Sequence, residues 1–356
     1  MTEPTSTAVT NASRGHGRRI LVAGVGAVLV VTVIGVAFGP ATQIRPWAAL
    51  LEIVDRIPGV ALNSGLNERQ AATVWDIRFP RVVLGLLVGW NLSSAGAAYQ
   101  GVFRNPLADP YLLGAAAGAG LGATLIIVRG HLESDPTALV PVAAFLGALT
   151  AVALTYLVGA TGDRRRAPAS LLLAGVAVTS LFTAMQTFVQ QRHASDIRAV
   201  YTWILGRLST AGWHDVVLLA PYVVVPSALL LVFGRSLDVL SVGDDEARSL
   251  GLDVDRTRLI VVLAASLATA GAVAVSGLIG FVGIVVPHAV RLAGARSYRI
   301  LLPASMLFGG AFLVLADLLA RTAMAPAEIP IGVVTAFCGA PFFVFLLRRR
   351  SVGVSA

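Results

Sequence analysis

Residues 20–38 read ILVAGVGAVLVVTVIGVAF, with no charge in the run and Arg14, Arg18 and Arg19 just ahead of it. Crossing ~30 Å of hydrocarbon at ~1.5 Å per helical residue takes ~20 apolar residues, so this run has the length of one membrane span. No small-x-small cleavage site follows it, and it reads as an uncleaved first span rather than a signal peptide. Comparable runs recur at about 80–101, 111–128, 138–159, 169–190, 215–234, 258–276, 279–293, 302–320 and 331–347. The pattern predicts an all-α, polytopic membrane protein with about ten transmembrane helices. Residues 1–19 form a polar N-terminal tail, 20–350 the membrane domain and 351–356 a C-terminal tail, while 39–78 is polar enough to lie outside the bilayer.

Composition agrees. The 356 residues are 56% hydrophobic and 13% charged, with a mean hydropathy of +0.80. Soluble chains carry about a quarter charged residues, so an ordinary soluble enzyme is excluded. All 27 basic residues are arginine. Without lysine there is no P-loop for ATP and no Schiff-base chemistry. The arginines are scattered between apolar segments, which points to topology-setting charge rather than nucleic-acid binding. An even number of spans puts both termini on one side. The triplets Arg164–Arg166 and Arg348–Arg350 mark that side as cytoplasmic, and Trp47, Trp75, Trp203 and Trp213 fall in or beside the outer segments.

The single cysteine, Cys338, excludes internal disulfides and multi-cysteine metal sites. His131, His193, His214 and His288 are far apart, and no metal-ligand spacing or Ser/His/Asp arrangement emerges, so neither a metal nor a catalytic residue is expected. Asp317 and Glu328 sit near the outer edge rather than at mid-bilayer, which counts against an ion-coupled carrier, the competing class of reading.

Several motifs remain. Ile77-Arg78-Phe79-Pro80-Arg81 enters the second span from outside, and Asp317 and Arg321 close the ninth at the same face. Arginines there either snorkel to the headgroups or form a positive rim for an acidic partner. The second span ends in Gln100-Gly101-Val102-Phe103-Arg104-Asn105-Pro106-Leu107-Ala108-Asp109-Pro110-Tyr111-Leu112-Leu113-Gly114, whose prolines stop one helix and restart another as a stiff inner turn. Gly114, Gly118 and Gly122 recur every fourth residue, which predicts one close-packing helix face. The inner segment 235–258 holds Gly243-Asp244-Asp245-Glu246-Ala247-Arg248-Ser249-Leu250-Gly251. Its acids suit a helix N-terminus and Gly251 its end, so a short docking helix on the cytoplasmic face is expected.

In this order and spacing, IRFPR, QGVFRNPLADPYLLG, VGDDEARSLGL, SGLIGFVGIVVPHAVR, ADLLAR and EIPIGVVTAFCGAPFF resemble the FecCD family over about residues 20–350. These are permease subunits of ABC importers for iron–siderophores, haem and vitamin B12. The resemblance implies the type II importer architecture in a bacterial plasma membrane. It also implies a second permease copy, two ATPase subunits that hold the ATP and Mg, and a free or lipid-anchored binding protein. It further implies that Gly243, Asp244, Asp245, Glu246, Ala247, Leu250 and Gly251 couple to the ATPase. Arg78, Arg81 and Arg321 would meet acids of the binding protein, and the fifth span would line the pathway. Pro168, Ala169 and Ser170 fall at the cytoplasmic gate, although the turn reads Arg166-Ala167-Pro168-Ala169-Ser170 where the B12 member has small hydroxyl residues. On family usage an iron chelate, siderophore or haem, leads as cargo and vitamin B12 follows.

Overall fold

The computed structural model describes residues 6–39, 44–57, 59–60, 62–130, 139–159, 167–208 and 212–352, and its regular structure is helical. The chain runs α1 (Ser6–Ala37), α2 (Pro46–Asp55), α3 (Glu68–Ala72), a π-turn (Thr73–Arg78), α4 (Phe79–Val102), α5 (Ala115–Ile127), α6 (Leu139–Gly159) and α7 (Ala167–Arg192). It continues through α8 (Ile197–Ile204), α9 (Trp213–Val232), α10 (Gly234–Leu240), α11 (Asp244–Ser249), α12 (Val254–Ser276), α13 (Val282–Leu292), α14 (Tyr298–Thr322) and α15 (Ile331–Val352).

Among the described residues, seven helices are long and apolar enough to cross a membrane: Gly15–Ala37, Glu68–Val102, Leu139–Gly159, Ala169–Arg192, Trp213–Val232, Val254–Ser276 and Tyr298–Thr322. Ala115–Ile127, Val282–Leu292 and Ile331–Val344 are apolar but shorter. The expected spans 111–128 and 279–293 are therefore helical only in their later parts. Gly114, at φ 86°, and Phe281, at φ 70°, hold left-handed backbone just before α5 and α13 and stop either helix from starting sooner. The irregular backbone ahead of these helices is satisfied by protein. The Tyr111 hydroxyl donates to Ile279 O at 3.0 Å and accepts from Ile279 N at 3.1 Å, and Thr155 Oγ1 donates to Leu113 O at 3.0 Å. Non-helical backbone at membrane depth is tolerated only under such cover.

Helix α4 is the axis of the bundle and touches α9, α12, α13 and α14. Its glycines set the distances. A Cβ on Gly96 would lie 2.1 Å from Gly283 O on α13, and one on Gly89 would lie 2.2 Å from Gly309 O on α14. Two buried amides on α4 fix its register through prolines on its neighbours. Pro226 in α9 cannot donate to Tyr222 O, and Asn91 Nδ2 does so instead at 3.0 Å. Pro287 in α13 leaves Gly283 O free in the same way, and Gln100 Nε2 takes it at 3.0 Å. At these two prolines the intrahelical bond that is lost becomes an interhelical one.

Candidate functional site

The end of the bundle where α4 starts and α1 and α14 finish gathers Arg78, Arg81 and Arg321, which the sequence spreads over two distant motifs. The π-turn, whose Phe79 N–H reaches back to Val74 O, carries the chain into α4 at this point. An aromatic cluster of Trp75, Phe79 and Trp213 packs it, with the Trp213 indole donating to Trp75 O at 3.0 Å. The three arginines do not form the exposed rim expected of them; all three are buried. Arg78 donates to Val36 O at 3.2 Å and Ala37 O at 2.8 Å, closing the last turn of α1. Arg321 donates to Gly35 O and lies 3.5 Å from Asp317. Arg81 is the hub. Its Nε and Nη2 donate to Asp317 at 2.8–3.1 Å, and its Nη1 and Nη2 donate to the two oxygens of Glu328 at 2.9 Å. Three guanidinium groups between tightly packed helices cannot stay hydrated, so backbone carbonyls and two carboxylates replace the water.

The two carboxylates differ. The Asp317 side chain is 3% exposed, while that of Glu328, on the connection between α14 and α15, is 36% exposed. Hydrogen bonds from Arg81 hold the Glu328 carboxyl below the usual carboxylate range, against a smaller opposing effect of burial.

At the opposite end α11 forms a short capped knob. Gly251, at φ 82°, ends it with Leu252 N donating to Ala247 O at 3.0 Å and Gly251 N to Arg248 O at 2.9 Å, the two bonds of a Schellman closure. The expected coupling residues divide by direction. Ala247 is fully buried, and Asp244 turns inward to Arg258 at 2.9 Å and Arg104 at 3.2 Å. Asp245, Glu246 and Leu250 point out, joined by Val242, which the sequence reading did not single out. Val242 and Leu250 are 68% and 70% exposed, large apolar groups in a charged surround. Arg104 belongs to the turn after α4, so that turn braces the knob.

Asp109 lies in the same turn and is half-buried, its Oδ1 accepting Tyr111 N–H at 2.7 Å. Burial pushes its carboxyl up to about 6, opposed by that hydrogen bond. The folded chain therefore holds a proton between about pH 4 and 6 that the unfolded chain has released. The stability from the neutral form is complete below about pH 4 and lost as pH rises through about 6. Asp109→Asn keeps the acceptor and removes the charge. We expect it to raise the melting temperature at pH 7.5 by a few degrees and to flatten the difference from wild type below pH 4, read as paired melting curves across pH. An equal shift at every pH would contradict this.

Gly118 and Gly122 lie against α6, where a Cβ would sit 2.2 Å from Gly147 O and 2.1 Å from Ala143 O. Gly114 does not continue that face, because it is the left-handed residue ahead of α5. Pro168, Ala169 and Ser170 open α7; Ala169 is exposed and Ser170 half-buried, and Arg164–Arg166 lie outside the described residues. Along α7 an uncovered stripe of Leu173, Val176, Leu181, Met185 and Phe188 faces away from the bundle. Among the described residues no three His, Cys, Asp or Glu side chains group as metal ligands.

Residues 24–349 match the FecCD transport family. The chain is 46% identical to the cobalamin import system permease protein BtuC of Halobacterium salinarum, over 86% of this chain and 80% of that protein. It is 39% identical to the hemin transport system permease protein HmuU of Yersinia pestis, over 81% of this chain and 86% of that protein. A solved structure assigned to a metal-chelate type ABC transporter, in an inward-facing conformation, superposes with a TM-score of 0.80 at 27% identity, covering 93% of this chain and 99% of that one. With those matches running nearly end to end, the chain belongs to the FecCD transport family and is a permease subunit of an ABC importer, a transport subunit rather than an enzyme.

Proposed function

We propose that this chain is the permease of an importer for a cobalamin-type corrinoid, working with ATPase subunits on one side and a binding protein on the other. The observation that carries the cargo is the 46% identity to the Halobacterium cobalamin permease, against 39% for the haem permease and 34–36% for two Bacillus subtilis Fe(3+)-citrate permeases. Cobalamin thus takes the lead that family usage gave to an iron chelate.

The geometry is consistent with the roles that the family resemblance implies for the rest of the chain. Ten membrane segments, counting the three short helices, leave both termini in the cytoplasm. Asp245, Glu246, Leu250 and Val242 meet the ATPase, while Asp244, Ala247, Gly243 and Gly251 shape the knob. The arginine end faces the binding protein. The apolar stripe on α7 and the groove beside Phe337 on α15, about 880 Å³ and lined almost wholly by apolar side chains, suit a second permease copy and the pathway between the two. Pro168, Ala169 and Ser170 stand at the cytoplasmic mouth of that pathway.

The test is uptake into proteoliposomes holding permease, ATPase and binding protein. We expect saturable, ATP-dependent uptake of cobalamin and little of haem or ferric siderophore. Preference for haem or siderophore would move the cargo to an iron chelate. Uptake by the permease alone along an ion gradient would overturn the importer reading.

A further inference from the structure

With Arg78, Arg81 and Arg321 all buried, none of these three guanidinium groups is presented to an acidic partner in this structure. The route to one runs through Glu328. Asp317 holds Arg81 from inside, side-on through Nε and Nη2. Glu328 caps the outward edge, end-on through Nη1 and Nη2. The pairs differ in what they would cost to break. Asp317 is 3% exposed and sits inside α14, in its last two turns, so moving it means moving a helix end. Glu328 is 36% exposed on a connection whose residues 323–328 are all exposed, including Met324. Its carboxylate can leave Arg81 and be hydrated at once.

We propose that Glu328 is an internal stand-in for a partner's carboxylate, and that a protein docking at this end displaces it to take the outward fork of Arg81. This deepens the docking reading of the arginine end and rests on it. The exchange is balanced in charge: one carboxylate leaves and another enters, so Arg81 is never left buried without a counter-ion. It also preserves the bidentate geometry, for which a guanidinium is suited and which an aspartate or glutamate on a partner loop can reproduce. The partner is thus a soluble protein presenting an acidic side chain. Before it docks, Glu328 keeps the fork occupied, which lowers the apparent affinity by the fraction of time the fork is free. A resting permease then binds the partner less tightly than its contacts allow.

The experiment uses the complete permease–ATPase complex in nanodiscs with the purified binding protein of the importer as probe. Cys338 is first replaced by serine, and Met324→Cys supplies a label site beside Glu328. Protection of that cysteine from a maleimide on adding the binding protein reports docking at this end. Binding is then measured with wild type, Glu328→Gln and Glu328→Asp. Removing the competing charge should tighten binding about tenfold, mainly through a faster on-rate, and the shorter aspartate should give a smaller gain in the same direction. Protection without tighter binding in either variant overturns the stand-in while leaving docking intact. No protection overturns the docking reading and the stand-in with it. Melting curves check that both variants are folded; should Glu328→Gln be unstable, Glu328→Asp alone decides, and unchanged or weaker binding in it refutes the proposal.

Discussion

Gly96→Leu should abolish recovery of folded permease from membranes, whereas Gly26→Leu on α1 should leave it near wild type. A Cβ on Gly96 would lie 2.1 Å from Gly283 O and 2.5 Å from Gly283 Cα, while one on Gly26 meets nothing within 4 Å. The contact at Gly96 is backbone on backbone, so no rotamer change relieves it and α13 has to move. That shift breaks the Gln100–Gly283 hydrogen bond, which replaces the one Pro287 cannot make. Overpacking a core costs ~1–3 kcal/mol when side chains can yield, and more is expected where they cannot. Lipid gives helices no hydrophobic incentive to re-associate in another way, so close packing carries the association and its loss is not offset. Gly118→Leu, against Gly147 O at 2.2 Å, should lose the α5–α6 contact by the same mechanism with a smaller drop in yield, since that pair lies at the edge of the α4 hub. The measurements are detergent-solubilised yield by size-exclusion chromatography and melting temperature. Normal values for Gly96→Leu would show that α4 and α13 do not approach as described.

Leu250→Asp should leave the permease folded and remove its stimulation of the partner ATPase. Leu250 is 70% exposed, so nothing within the chain depends on it, and Val242 beside it is equally open. Large apolar groups kept at the tip of a charged knob gain burial only when a partner closes over them. Central interface anchors typically cost 2 kcal/mol or more on truncation, which is about thirtyfold or more in affinity. A buried carboxylate in place of the leucine is worse than truncation. Gly251→Val should uncouple by another route, because a β-branched residue resists φ 82° and the closure that shapes the knob is lost. The check is ATP hydrolysis by the reconstituted complex, with thermal stability of the permease measured in parallel. Normal coupling in both variants would place the ATPase contact elsewhere. Loss of folding in Leu250→Asp would mean that the leucine is an internal contact.

Much of this was legible from the chain. Length, hydropathy and the absence of lysine set the class, because the bilayer imposes one thickness and phosphate chemistry one kind of loop. The acidic start and glycine end of α11 were readable because both are local preferences: acids favour the first turn of a helix through its dipole, and Gly251 closes the last turn on backbone within a few residues of itself. The direction of each side chain was not. Asp244 and Asp245 are neighbours of one type, yet Asp244 pairs with Arg104 and Arg258 while Asp245 stays in solvent. The register of α11 on the bundle decides this, and the hydropathy of the knob carries no trace of it. The glycine repeat 114–118–122 misled at its first member, since identical spacing covers both a helix face and a left-handed residue ahead of it.

The arginine end shows the same division more sharply. The motifs around Arg81 and Asp317 place both residues at one membrane face, because each lies where an apolar run meets a polar segment, and that boundary is written in the sequence. Their burial is not. It depends on α1, α4 and α14 closing side by side around them, which turns side chains expected to face a partner into the ties of three helices. Asn91 and Gln100 answer Pro226 and Pro287 in the same way across more than a hundred residues of chain. The sequence alone determines the apolar, helical class of the chain and such local features as the glycine end of α11, since these follow from composition and backbone preference. Which polar groups meet, and so which arginine is a tie and which carboxylate can be exchanged, only the tertiary structure decides, because a buried charge takes its partners from helices that come together in folding.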